Sequence, residues 1–220
     1  MDLCVLCASA VKFLRTRTGR ERRARLSASR IEPHTGRMQA IVSALDDPFR
    51  ERVEEIWGEL KAVFGLKSVI GSTRPHFTYQ VAERYAAAAV GAALSRIAAA
   101  TLPFEAHTRG LGLFRGDQTV LYLAVVRDTG VERTHERVWA EASAAAGGLR
   151  AYYAAETWVP HITLATGDLS EEQAPEIMRF LGRREYRWSV LVTNLCLVPD
   201  TASAASEWQR YELRGAVDPT

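Results

Sequence analysis

A short motif that occurs twice constrains the fold of this 220-residue chain more than any other feature. The stretches "PHFTY" at 75–79 and "PHITL" at 160–164 both read Pro-His-apolar-Thr-apolar. On a β-strand, residues i and i+2 point to the same face of the sheet. Each histidine therefore projects beside its threonine, while the apolar neighbours can pack on the opposite face. We predict that the two polar pairs lie on strands and face each other across one cleft.

The chain around the two motifs alternates between patterns typical of strands and of helices, in two similar halves. Apolar residues recur at helical spacing from Phe49 to Phe64, and Gly65 is a helix-ending signal. Further helices are predicted at 84–100, at 131–146 and from Ser170 onward. Strands are predicted at 38–45, 76–82, 103–114, 119–126, 158–166, 186–198 and 206–213. Each half thus contains helices, several strands and one copy of the motif.

Composition places the chain among soluble globular proteins, with 47% hydrophobic and 25% charged residues. No apolar run reaches the roughly 20 residues that a membrane helix needs, so we expect no membrane partner. Cys4 and Cys7 form a C-x-x-C pair, but the chain offers no further ligands at a spacing that suits zinc. The low cysteine content suits a reducing compartment, and we expect a cytoplasmic protein.

Residues 1–37 differ from the rest of the chain. They contain nine basic and three acidic residues, and with a net charge of +2 for the whole chain, residues 38–220 carry about −4. The segment has no clear hydrophobic period, which predicts a disordered basic extension. Another interpretation is that Met38 is the true first residue and that the given sequence starts upstream of it. An RNA- or membrane-binding arm and a targeting segment are alternatives. We predict that residues 38–220 form the functional domain, and that its affinity for phosphate is local.

Two histidine–threonine pairs that converge can perform acid–base chemistry on one phosphate. Imidazoles with an ordinary pKa of about 6.5 can divide the work near neutral pH, one accepting a proton and the other donating one. The threonine hydroxyls can donate hydrogen bonds to non-bridging phosphate oxygens. This chemistry needs no metal and no cofactor. The remaining histidines lack the pattern, because Gly36, Arg109 and Arg137 stand two residues after His34, His107 and His135.

The doubled motif resembles that of the 2H phosphoesterases, a superfamily that includes 2′–5′ RNA ligase-like proteins and RNA 2′,3′-cyclic phosphodiesterases. The stretch "GLGLFRGDQTVLYLAVV" between the motifs is also similar to that family. The resemblance implies a bilobal α+β fold of two pseudosymmetric lobes, each a mainly antiparallel sheet with helices outside, around a V-shaped cleft. It implies metal-independent phosphodiester chemistry with His76 as proton donor and His161 as proton acceptor. Thr78 and Thr163 would bind the phosphate.

Several residues near the motifs are candidates for substrate contacts. Arg74 lies two residues before His76, and the aromatic residues Phe114 and Trp208 have arginines close by in the sequence. Aromatic faces can stack on any base, so we predict contacts from Arg74, Phe114, Trp208 and Arg210. The family often has an arginine after the second motif, whereas this chain has Ala165-Thr166-Gly167, which leaves the substrate open.

Two functions follow from these residues. The first is hydrolysis of a 2′,3′-cyclic phosphate or of a 2′,5′-linked or 3′-terminal phosphodiester, on RNA ends or on small nucleotides. Ligation would be the reverse reaction, and the sequence shows no ATP site that could drive it. The alternative is a nucleotide-binding module that uses the same cleft without turnover. We expect a monomer in either case.

Overall fold

The computed structural model describes residues 38–71, 73–116, 118–199 and 207–215. The predicted basic extension at residues 1–37 lies outside these ranges, so that expectation and the boundary at Met38 remain predictions. The α-helices are α1 (Phe49–Phe64), α2 (Ala87–Ala99), α3 (Thr129–Ala142) and α4 (Ala174–Leu181). The strands are β1 (Gln39–Ala44), β2 (His76–Tyr85), β3 (Phe104–Phe114), β4 (Val120–Val125), β5 (Ala146–Leu149), β6 (His161–Ala165), β7 (Ser189–Val192), β8 (Asn194–Val198) and β9 (Gln209–Glu212).

All of these strands belong to one antiparallel sheet, in the order β7-β3-β4-β6-β2-β1-β8-β9, with β5 attached to β2. The two motif strands, β2 and β6, lie side by side at the centre. They share a single residue pair, Phe77 opposite Ile162. Each is flanked on its other side by a longer ladder, β2 by β1 and β6 by β4. The predicted α+β fold with two halves of antiparallel sheet is confirmed.

Alternation along the motif strands determines which side chains reach the core. Phe77, Tyr79, Ile162 and Leu164 are almost fully buried and join the main hydrophobic core. Their polar neighbours His76, Thr78, His161 and Thr163 are only half-buried, on the other face. Helix α1 contacts β6, and α3 contacts β2 and α2. The core therefore holds the motif strands from behind and leaves the histidine–threonine face accessible.

Two features of the sheet differ from the sequence prediction. The single strand expected at 186–198 is two strands that separate at Thr193, because β7 pairs with β3 while β8 pairs with β1 and β9. The side chain of Asn194 bonds to both backbone groups of Ala44 and fixes the start of β8. Strand β5 occupies residues that the prediction assigned to a helix end. No helix in the described part of the chain is both long enough and apolar enough to cross a membrane.

Candidate active site

The register of β2 against β6 brings the two motifs together. Because the strands are antiparallel and Phe77 faces Ile162, His76 lies across from Thr163, and Thr78 lies across from His161. Each histidine thus has its own threonine on the same strand and the other threonine on the neighbouring strand. The structure therefore brings the four predicted motif residues into one group with approximate twofold symmetry.

Both imidazole rings are held in the same orientation by backbone carbonyls. The Nδ1 of His76 lies 2.6 Å from the carbonyl oxygen of Arg74, and the Nδ1 of His161 lies 2.7 Å from that of Val159. A carbonyl only accepts hydrogen bonds, so each Nδ1 carries a proton and donates it. The Nε2 atom is then the position where each neutral ring can accept a proton. Neither Nε2 bonds to another residue in the described ranges.

The pKa values of both histidines are lowered from their ordinary value. Burial is the main cause at each ring, and it is partly offset by the hydrogen bond to the backbone carbonyl. The pKa of His76 is lowered further by the charge of His161, so the two rings interact electrostatically. Because two imidazolium cations would repel each other, the pair favours a state in which only one of the two rings carries a proton on Nε2. That state contains one acid and one base.

The hydroxyl groups of Thr78 and Thr163 lie beside the rings and are available to a ligand. Both side chains are half-buried, and neither hydroxyl bonds to any residue that the structure describes. Two hydroxyl donors and two imidazoles around one point can bind an anion and exchange protons with it. Among the described residues, no three histidine, cysteine, aspartate or glutamate side chains are grouped so as to hold a metal ion.

Aromatic side chains flank each histidine. Phe114 packs edge-to-face against His161 with ring centroids 5.0 Å apart, and Trp208 does the same to His76 at 5.4 Å. The guanidinium of Arg74 lies 5.8 Å from the Trp208 ring. Three of the predicted contact residues therefore lie at the site. Beside His161, a cleft of about 320 Å³ is lined by Phe114, Val120, Tyr152, Tyr153, Thr157, Trp158 and Val159.

A glycine in β3 makes room for this aromatic cluster. Phe114 stacks on Tyr122 with centroids 4.2 Å apart, and Tyr122 also contacts His161. Gly112 lies opposite Tyr122, and a Cβ atom there would overlap the Tyr122 ring. Any side chain at this position would therefore displace the ring that supports Phe114 and His161.

Arg210, the fourth predicted contact residue, is held by carboxylates. Its guanidinium makes two 2.9 Å hydrogen bonds to Asp46 and one of 2.7 Å to Glu212. The bonds from Arg210 lower the pKa of Asp46, and those to Asp46 raise the pKa of Arg210. The ion pair of Arg210 and Asp46 connects β9 to the end of β1. Arg210 is two residues from Trp208. A contact between Arg210 and substrate remains a prediction, and it would have to compete with both carboxylates.

Two tryptophans that the sequence did not identify as site residues bond to the motif threonines. The indole Nε1 of Trp57, in α1, donates to the carbonyl of Thr163 at 3.2 Å. The indole Nε1 of Trp158 donates to the carbonyl of Thr78 at 2.8 Å. Trp57 precedes the first motif and bonds to the second, whereas Trp158 precedes the second motif and bonds to the first. Each indole thus connects one half of the molecule to the motif of the other.

The geometry of the central strands explains why these carbonyls need an outside donor. A buried carbonyl without a partner costs free energy, and the β2–β6 ladder stops after one pair. Trp57 and Trp158 are 5% and 2% exposed, so their indoles satisfy the carbonyls from within the core. Trp158 is in turn stacked on His135 with centroids 3.9 Å apart. Trp57 therefore connects α1 to β6, and Trp158 connects the segment before β6 to β2.

Comparison with known proteins agrees with this architecture. The structure is similar to that of TT0787 from Thermus thermophilus, with 20% sequence identity, a TM-score of 0.53, and coverage of 81% of this chain and 98% of that one. It is also similar to Escherichia coli LigT, solved in complex with 3′-AMP, with 17% identity, a TM-score of 0.51, and coverage of 80% and 97%. No curated protein sequence matches significantly. At these identities, the structural likeness supports the fold.

Family membership rests on the sequence itself. The family model described as the 2′-5′ RNA ligase superfamily matches residues 45–203, which include both motifs and most of the described sheet. This confirms the resemblance that the doubled motif indicated. The chain therefore belongs to the 2′-5′ RNA ligase superfamily.

Proposed function

We propose that the protein hydrolyses phosphodiesters at RNA ends or in small nucleotides, with His76 and His161 as its acid–base pair. Family membership supports phosphoesterase chemistry on RNA or nucleotides in general. The observation that carries the specific proposal is the matched orientation of the two rings. Both Nδ1 atoms are engaged by a carbonyl two residues earlier in the chain, which leaves both Nε2 atoms to the substrate.

Hydrolysis follows from two proton transfers. The Nε2 of His161 accepts a proton from water as the water oxygen forms its bond to phosphorus. The Nε2 of His76, as imidazolium, donates its proton to the leaving oxygen as the P–O bond breaks. We assign the two roles by the family resemblance, and the reverse assignment would use the same atoms. Hydroxyl donors from Thr78 and Thr163 stabilise the charge on the non-bridging oxygens.

The aromatic surroundings suit a nucleotide. We propose that a base stacks on Phe114 or enters the cleft beside it, because that cleft is mostly apolar and adjoins His161. Arg74 and Trp208 lie on the opposite side, next to His76. The complex of LigT with 3′-AMP shows that a protein of this fold binds a mononucleotide.

Hydrolysis in the presence of EDTA tests this function. The purified chain is incubated with 2′,3′-cyclic mononucleotides, 2′,5′-linked dinucleotides and RNA with a 2′,3′-cyclic end. We expect at least one class to be converted to a phosphomonoester or to cleaved products, as followed by ³¹P NMR. Binding of all three classes without turnover would instead support the nucleotide-binding module. Activity in a preparation in which both motif histidines have been replaced would reveal a contaminant.

Substitution of Trp57 and Trp158 tests whether their indoles position the motif strands or only stabilise the fold. Trp57→Phe and Trp158→Phe keep an aromatic ring but remove the N–H donor, which leaves a carbonyl unpaired and costs about 1 to 3 kcal/mol of stability. We expect kcat to fall about tenfold with KM nearly unchanged, because a shift of a motif strand misaligns the proton transfers. The measurement is steady-state kinetics, with the melting temperature recorded for each variant.

Trp139→Phe is the matched control for these variants. Its indole Nε1 also donates to a carbonyl of β2, that of Tyr79, at 3.1 Å. The side chain of Tyr79 points into the core and not toward the cleft. Trp139 is half-buried, so the control should lose no more stability than the other two variants, and it should keep its kcat. An equal loss of kcat in all three variants would show that the indoles of Trp57 and Trp158 have only a structural role.

A further inference from the structure

An open depression on the surface collects four arginines from two separate parts of the chain. Its volume is about 530 Å³, and it is lined by Arg109 and Gly110 of β3 and by residues 182–187 between α4 and β7. The arginines are Arg109, Arg183, Arg184 and Arg187, and among the residues that the structure describes, Glu185 is the only acidic one that lines the depression. The stretch 182–185 taken by itself indicates only a solvated turn, and Arg109 is more than 70 residues away in the sequence.

A β-bulge places Arg109 in this group. Thr108 pairs with Val125, but the next pair in β3 is Leu111 with Leu123, so one extra residue is inserted. Gly110 adopts a φ of 82°, a left-handed conformation that favours glycine. Bulges of this kind redirect the neighbouring side chain. The exposed Arg109 consequently lines the same depression as the α4–β7 loop.

The positive charge in the depression is only partly compensated. Arg184 is paired with Glu59, and Arg187 lies 3.5 Å from Glu185 in a pair that is more than 70% exposed. Exposed pairs contribute little stability and are easily exchanged for another anion. Arg109 and Arg183 have no acidic partner among the described residues. This local excess of positive charge contrasts with residues 38–220 as a whole, whose net charge is about −4.

The depression lies close to the candidate active site in the register of the sheet. The bulge residues Arg109 and Gly110 of β3 lie opposite Ala124 of β4, which in turn pairs with His161 of β6. Two strand spacings amount to about 10 Å. A single-stranded nucleic acid of a few nucleotides covers that distance. Its terminal phosphate can then lie between the motif histidines while its earlier phosphates reach the arginines.

We propose that Arg109, Arg183 and Arg187 bind backbone phosphates of a single-stranded RNA whose reactive 3′ end lies between His76 and His161. Guanidinium groups pair well with phosphate oxygens, and contacts of this kind increase affinity without reading sequence. The inference rests on the proposed hydrolysis and narrows its substrate class to oligonucleotides. A 2′,3′-cyclic mononucleotide has no second phosphate that could bind the arginines.

The test compares two substrates in the Arg109→Ala/Arg183→Ala variant. For a ten-nucleotide RNA with a 2′,3′-cyclic end, we expect kcat/KM to fall about tenfold and the slope of log(kcat/KM) against log[salt] to become shallower by about 1.4, from about 0.7 for each lost contact. For a 2′,3′-cyclic mononucleotide, kcat/KM should be unchanged. Arg96→Ala/Arg133→Ala removes the same charge from α2 and α3 and serves as the control.

The outcomes separate this inference from the proposed function. Equal kinetics of wild type and variant on the RNA, or an equal loss in the control, overturns the inference while hydrolysis of the mononucleotide still stands. If neither substrate is hydrolysed, the proposed function fails. Fluorescence anisotropy with the same RNA carrying a 3′-phosphate then decides the inference, because Arg109→Ala/Arg183→Ala should still weaken binding about tenfold.

Discussion

Replacing His76 or His161 with asparagine should lower kcat for phosphodiester hydrolysis by about 10²- to 10⁴-fold, the usual contribution of a general acid or base. The amide nitrogen of asparagine is close in position to Nδ1, so the hydrogen bond to the carbonyl of Arg74 or Val159 can persist. Nothing replaces Nε2, where the proton is transferred. The loss should therefore appear in kcat at an almost unchanged melting temperature. Steady-state kinetics and thermal unfolding measure the two quantities.

The double variant and a control histidine make this prediction specific. Residues that act as one unit are not additive, so the double variant should lose little more than the worse single variant. His107→Asn is the control, because His107 is exposed, pairs with Asp128, and lies outside the site. Its kcat should equal that of the wild type. Normal rates in His76→Asn and His161→Asn would remove both residues from the mechanism.

Replacing Thr78 or Thr163 with valine should lower kcat by about 10²- to 10³-fold, the typical effect of removing one donor that stabilises a developing charge. Valine has nearly the shape of threonine but no hydroxyl. Neither hydroxyl bonds to a residue in the described ranges, so the native fold loses no hydrogen bond. The substitution acts on the bound phosphate, and the loss should be seen in kcat more than in KM.

Serine at the same positions is the matched control for the threonine prediction. Thr78→Ser and Thr163→Ser keep the hydroxyl and remove only a methyl group, so each should recover most of the rate lost in the valine variant. Valine variants that retain full activity, or serine variants as slow as valine, would show that the hydroxyls do not contact the transition state.

The sequence predicted the arrangement of the two motifs better than it predicted the contacts that support them. Two copies of one pentapeptide, with the period of a strand, were enough to place His76 beside Thr78 and His161 beside Thr163. The predicted strands were found, apart from the division of 186–198 into β7 and β8 and the additional strand β5, and the family match confirmed the resemblance. This part succeeds because alternation on a strand depends only on local backbone geometry.

The supports depend on contacts between distant residues, which no local pattern encodes. Trp57 lies in the apolar stripe of α1, and its sequence context indicates only a core residue. Its bond to Thr163, more than 100 residues away, arises because the two central strands separate after one pair. The contact between Arg210 and Asp46 is another example, because nothing in the sequence near Trp208 indicates that this guanidinium bonds to a carboxylate more than 160 residues away. The break between β7 and β8 was not predicted either, because both strands are rich in apolar residues and only Thr193 separates them.

The pH dependence of kcat/KM tests most directly whether two imidazoles act on one phosphate. This quantity reports on the free enzyme, and the phosphodiester itself does not titrate near neutral pH. Burial lowers the pKa of both rings, so the acid is lost as pH rises through the higher of two apparent values, both below about 6.5. The base is lost as pH falls through the lower one. We predict a bell with its maximum on the acid side of pH 6.5, and a single limb in the residual activity of His76→Asn or His161→Asn. A flat profile across this range, or a bell that persists in both variants, would contradict the account.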